Sequence, residues 1–178
     1  MKASFIISLV TICLGVTAHS QNFNDLDVSP LDIASFPTSY RDSDKSIRVI
    51  YSRPQLKGRE LSALTPEGKV WRTGANEATE ITLYDDFIFG ETKVKAGTYS
   101  LYTIPGQESW TVIINSATNV WGAYGYNNDL DVARLDVPVK KLESPVEALS
   151  MVFEKVKNGA HLHIAWGHTH IAVPFTKS

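Results

Sequence analysis

The chain has 178 residues, 43% of them hydrophobic, with 17 basic against 19 acidic side chains and a formal charge of −2. That length suits one domain with a sizeable core. The slightly acidic balance excludes the basic footprint of a nucleic-acid binder. No apolar run reaches the roughly 20 residues that a membrane-crossing helix needs.

Met1-Lys2, an apolar run over 5–16 and the small-residue stretch Thr17-Ala18-His19-Ser20 read as a secretory signal peptide cleaved before Gln21. Cys13, the single cysteine, lies inside the run behind Ile12, so it does not read as a lipid-attachment site. Cleavage leaves a chain without cysteine, hence without disulfide or thiolate chemistry. The expected location is the periplasm or the cell exterior.

Residues 21–45 are polar, carry Pro30 and Pro37 and show no sustained period. They are expected to form an extended lead-in, with 46–178 as a single domain. From Ser46 the pattern turns to short alternating segments. The expected strands are Ile47–Ser52, Thr79–Tyr84, Phe87–Phe89, Thr92–Lys95, Thr98–Ile104, Trp110–Asn115 and Val132–Val139. A short helix fits only Pro145–Leu149 or Asp129–Arg134. Asn158-Gly159 predicts a two-residue hairpin loop pairing Phe153 with Ile164 and Met151 with Trp166. A second tight turn is expected at Gly167-His168. One face of the resulting meander carries Leu149, Met151, Phe153, Leu162, Ile164, Trp166, Ile171 and Val173, which must be buried. About nine such strands predict an all-β fold, an antiparallel β-sandwich, with a barrel as the second choice.

Three clusters carry chemistry. Tyr51-Ser-Arg-Pro-Gln-Leu-Lys-Gly-Arg59 and Lys69-Val-Trp-Arg-Thr-Gly-Ala-Asn-Glu-Ala-Thr79 concentrate cations in an acidic chain. The planar forks of Arg53 and Arg72 suit carboxylate, phosphate or sugar-hydroxyl recognition. Asn76 and Glu77 complete a polar pocket with Trp71 as its wall; the plainer alternative is a structured loop in which Arg72 pairs with Glu77. Trp121-Gly-Ala-Tyr-Gly-Tyr126 offers Trp121, Tyr124 and Tyr126 as flat faces for stacking, or as a cover for one end of the core. In the expected register His161, His163 and His170 project away from the core, with Glu154 opposite His163. Imidazoles and a carboxylate suit zinc or copper. Diagonal neighbours on a flat sheet are about 7–8 Å apart, wide for a closed site, so the cluster reads as a solvated face and no metal or cofactor is assigned. No Gly-x-Ser-x-Gly elbow and no phosphate-cradling loop is present.

The run from Tyr51-Ser-Arg-Pro through Gly68-Lys-Val-Trp-Arg-Thr-Gly-Ala-Asn-Glu-Ala-Thr79, with Ala96-Gly-Thr-Tyr-Ser-Leu-Tyr-Thr-Ile-Pro105, Trp110-Thr-Val-Ile-Ile-Asn115 and Trp121-Gly-x-Tyr-Gly-Tyr126, resembles the exported bacterial proteins grouped as domain of unknown function 2911. The resemblance covers about Ile47 to Phe175. It implies a compact extracytoplasmic β-domain and marks Tyr51, Arg53, Trp71, Arg72, Asn76 and Glu77 as motif positions, but it carries over no catalytic role. Trp166, Thr169 and Pro174 fit that pattern; His168 and His170 depart from it.

The resulting expectation is a non-catalytic binding module for a small polar or anionic molecule or a glycan. Two rival readings are a hydrolase using Glu77 and Arg72, and an envelope protein-interaction domain using the aromatic loop. Oligomeric state is left open.

Overall fold

Side-chain alternation dictates most of the strands. In β2 (Ile47–Ser52), Ile47, Val49 and Tyr51 turn inward while Ile50 faces out; in β3 (Thr79–Leu83), Thr79, Ile81 and Leu83 turn inward. The computed structural model describes residues 21–65 and 67–178. The signal-peptide reading falls on residues 1–20 and lies outside the described residues.

The chain continues through β4 (Phe87–Phe89), β5 (Thr92–Val94), β6 (Gly97–Ile104), β7 (Ser109–Asn115), β8 (Asp131–Pro138), β9 (Lys140–Val156) and β10 (Gly159–Lys177). The first strand, β1 (Leu31–Phe36), arises within the segment expected as a lead-in and pairs along its whole length with β2. Two antiparallel sheets form, ordered β1-β2-β3-β6-β7-β8 and β5-β4-β10-β9. They pack as a β-sandwich. Between them lie Phe36 against Phe153, Phe87 and Phe89 against Phe175, and a tryptophan cluster in which Trp71 stacks on Trp166 at 5.7 Å and meets Trp110 edge-on at 5.9 Å. Among the described residues no helix is long and apolar enough to cross a membrane.

Neither expected helix forms. Pro145–Leu149 is extended within β9, where Leu149 and Met151 alternate into the core. Burial of that apolar face outweighs local helix propensity. Near Asp129 there is only a single 3-10 turn, Asn128–Leu130, whose entry the Asn127 side chain caps by accepting from the Asp129 N–H.

The β9–β10 hairpin turns at Lys157-Asn158, one position before the expected loop. Phe153 therefore faces Leu162, Met151 faces Ile164 and Glu154 faces His161. The slip from the expected pairing is two residues, so every side chain keeps its face. Gly159 is claimed by a different need: its φ is +141°, and a Cβ there would collide with the Phe175 carbonyl.

That contact also shows that β10 doubles back on itself. Lys177 N–H donates to the Asn158 carbonyl at 3.0 Å, and ring nitrogens of His163 and His170 approach to 2.8 Å. Seven residues of straight strand would span about 23 Å. The reversal falls at Gly167, whose φ of +57° supplies the turn expected there. The eight apolar residues assigned to the inner face, from Leu149 to Val173, are all buried.

Candidate functional site

The motif Tyr51-Ser-Arg-Pro serves the fold first. β9 is an edge strand, and its outward groups need partners. The Tyr51 hydroxyl accepts from the Met151 N–H at 2.9 Å. Arg53 Nε donates to the Leu149 carbonyl at 2.9 Å and Nη2 to Ser150 Oγ at 2.8 Å. Leu149 N–H donates to the Pro54 carbonyl and Leu56 N–H to the Glu147 carbonyl. Arg53 Nη1 also pairs with Asp32 of β1 at 3.0 Å. One arginine fork thus joins both sheets at their margin, which a lysine's single ammonium cannot do. Burial, ahead of every other influence, raises the Tyr51 phenol above its ordinary pKa. Trp71 is likewise a core residue, 7% exposed inside the tryptophan cluster.

The loop after Trp71 is shaped differently. Thr73 and Asn76 adopt positive φ, +55° and +58°. For a β-branched residue such as Thr73 that region is costly. It is held in place by Thr73 Oγ1 donating to Thr103 Oγ1 at 3.1 Å and by Thr79 Oγ1 donating to the Thr73 carbonyl at 2.8 Å. Gly74 passes so close to Ser52 that a Cβ would lie 3.2 Å from its carbonyl oxygen. The loop also clasps the aromatic segment: Ala78 N–H donates to the Val120 carbonyl at 2.8 Å, Gly122 N–H to the Asn76 carbonyl at 3.0 Å, and Glu77 bridges Trp121. The Tyr51, Trp71 and Trp121 segments therefore meet at one rim of the sandwich.

Three hollows flank this clasp, two on one side and one on the other. A cleft of about 440 Å³ lies between the chain entering β1 and the loop, lined by Leu26, Asp27, Ser52, Asn76, Glu77 and Trp121 among others. A smaller hollow of about 150 Å³ shares Leu31, Ser52 and Glu77 with it and extends to Ile50 and Asn119. Trp121 is 59% exposed. On the other side, Arg72 and the exposed Tyr124 line a separate hollow of about 320 Å³ with Leu64 and Val70. Arg72 Nη1 donates to the Asn76 carbonyl at 3.3 Å. Among the described residues no ion pair joins Arg72 to Glu77. The proposed polar pocket is thus divided: Asn76, Glu77 and Trp121 share one cleft, Arg72 and Tyr124 the other, and Tyr51, Arg53 and Trp71 chiefly build the frame.

Tyr126 lines none of these hollows. Its ring packs edge-on against Tyr102 at 5.1 Å, and its hydroxyl donates to Asp131 Oδ2 at 2.6 Å while accepting from Arg134. Burial, then the Asp131 carboxylate, push its phenol up to about 12. Sequence reasoning missed Asp32, Asp131 and the Leu26–Leu31 wall. Asp32 and the wall lie in a segment without periodic signal, and Asp131 has no motif around it.

On the outer face of the second sheet, the histidines draw closer than a flat sheet allows. Ligand atoms of Glu154, His161 and His163 lie within 4.8 Å of one another. Glu154 Oε2 is 2.9 Å from His163 Nε2, and His163 Nδ1 is 2.8 Å from His170 Nε2. Burial, then His163 and Lys140, lower the His170 pKa. His168 stands apart, bonded to the Leu142 carbonyl.

Fold and rim together define a two-sheet β-domain with a ligand-sized cleft where its motif loops meet. The chain matches, over residues 35–175, the family described as "Protein of unknown function (DUF2911)", and it belongs to that family. No curated protein and no solved structure matches it.

Proposed function

We propose that this protein is an exported binding module whose cleft between Trp121 and Glu77 takes a small uncharged polar ligand of the carbohydrate class. The observation that carries the reading is Trp121 itself. It is an indole 59% exposed, yet its backbone is pinned by a bridge to Glu77. An open aromatic face on a pinned backbone, beside amide and carboxylate groups, suits a sugar ring, whose C–H face stacks and whose hydroxyls hydrogen-bond. The charged side chains lining this cleft are Asp27 and Glu77, both acidic. That favours a neutral ligand over an anion, since the arginine expected to clamp an anion faces the other hollow. The strained backbone at Thr73 and Asn76 gives further support, because such strain clusters at binding sites. A hydrolase built on Glu77 and Arg72 draws less support: Glu77 is exposed and lacks the dry, partnered setting a general acid requires.

The test is a tryptophan-fluorescence titration of the purified protein with neutral mono- and oligosaccharides and with uronic acids. Saturable quenching by a neutral saccharide is expected, with weaker response to the uronates. Trp121→Ala should abolish it while leaving the unfolding midpoint in place. Failure of every saccharide to bind, or undiminished binding by Trp121→Ala followed calorimetrically, contradicts the reading.

A further inference from the structure

We propose that Glu154, His161 and His163 form a site for one divalent transition-metal ion of the zinc or copper(II) type, with His170 as the residue that positions His163. The site lies on the outer face of the second sheet and is independent of the Trp121 cleft. Its logic begins with the hairpin. Glu154 and His161 are directly opposite across β9 and β10, and His163 is the next residue on the same face. The pleat alone would leave the diagonal pair far apart. Instead the three side chains lean together, their ligand atoms within 4.8 Å of one another. Tetrahedral ligands at zinc distances stand about 3.4 Å apart. Glu154 Oε2 and His163 Nε2 are already 2.9 Å apart, so closure on an ion takes a turn of the half-buried His161 ring toward them, with the 64% exposed Glu154 side chain free to give way.

The fourth residue distinguishes this cluster from a chance gathering of polar groups. His163 turns Nε2 toward Glu154 and Nδ1 toward His170 Nε2, with the two rings nearly coplanar at 4°. A proton on Nδ1, donated to His170, leaves the Nε2 lone pair free and aimed at the ion. Metal-bound histidines use a second hydrogen bond in this way to fix ring and tautomer. The doubling back of β10 at Gly167 is what delivers His170 to that place. Three protein ligands at the surface leave a coordination position open to water or to a further donor. Imidazole with carboxylate suits zinc or copper(II) better than magnesium or calcium, which prefer all-oxygen shells. Because the ligands come from two adjacent strands, binding also fastens β9 to β10.

The experiment is calorimetric titration of the tag-free, full chain with ZnCl2 and, separately, CuCl2, paired with electron paramagnetic resonance of the copper form. One ion per chain is expected, with nitrogen splitting from two imidazoles that falls to one in His161→Ala. Glu154→Gln, an exposed change that leaves the core untouched, and His161→Ala should each weaken binding roughly tenfold or more. His170→Ala should weaken it by about 10–100-fold while keeping one ion per chain. His168→Ala should bind as the parent does. The ion should raise the thermal midpoint of the parent but not of the Glu154→Gln/His161→Ala double variant. Absence of saturable binding up to submillimolar ion, or binding undiminished in that double variant, overturns the proposal.

Discussion

At the scale of single residues, the Tyr51 hydroxyl is an acceptor for a buried backbone donor, the Met151 N–H, at 2.9 Å. Tyr51→Phe keeps the ring and deletes that acceptor, together with the hydroxyl's longer donation to the part-exposed Asp32 Oδ2 at 3.4 Å. An unmade hydrogen bond on a buried group costs about 1–3 kcal/mol, so urea denaturation of Tyr51→Phe should show a loss of that size. An unchanged midpoint would mean that the edge of β9 is closed without it. Arg53 acts in the same place, and its bond to Asp32 is partly exposed on both sides, 35% and 42%. Most of its value therefore lies in its contacts with Leu149 and Ser150 rather than in the ion pair. Neither role was legible beforehand. Tyr51 and Arg53 have the residue types of a ligand site, and only the position of β9 beside them reveals that their ligand is the chain's own backbone.

At the scale of elements, the β4–β5 hairpin is closed by Asp86. Its carboxylate accepts from the Ala96 N–H at 3.0 Å and from Lys95 Nζ at 3.0 Å, with Lys93 at 3.3 Å. The backbone bond first, and then the lysines, hold its pKa at about 2 against an ordinary 3.8. A carboxyl depressed in the folded state adds stability that is present above 3.8 and is lost as pH falls through about 2. Acid unfolding of Asp86→Asn should therefore run flatter than that of the parent within this window; parallel curves would contradict the assignment. Legibility at this scale followed periodicity. Ile47–Ser52 announces itself by alternation, and Phe87–Phe89 and Trp110–Asn115 by short apolar runs; the observed strands cover all three, β7 beginning one residue earlier at Ser109. The edge strand β1 does not announce itself, because its outward residues Leu31 and Ile33 are as apolar as its buried Phe36. The hairpin loop slipped by one position because the glycine beside Asn158 serves close packing against Phe175 rather than the turn. The split between Arg72 and Glu77 depends on the positive φ of Asn76, which residue types alone do not disclose.

At the scale of the whole molecule, the family's motif residues divide between two tasks. Tyr51, Arg53 and Trp71 join the sheets, whereas Asn76, Glu77 and Trp121 shape an open cleft at the rim those sheets create. The pair Trp71 and Trp121 isolates this division, since both lie in motif runs and differ chiefly in burial, 7% against 59%. Truncating a buried tryptophan costs about 3–5 kcal/mol, while an exposed side chain is usually worth less than about 0.5 kcal/mol. The decisive measurement is equilibrium urea unfolding, followed by far-ultraviolet circular dichroism, of Trp71→Ala and Trp121→Ala beside the parent. A large loss for Trp71→Ala with a near-parental curve for Trp121→Ala is the predicted result. Equal destabilisation by the two would show that Trp121 belongs to the framework and would leave the cleft without its wall.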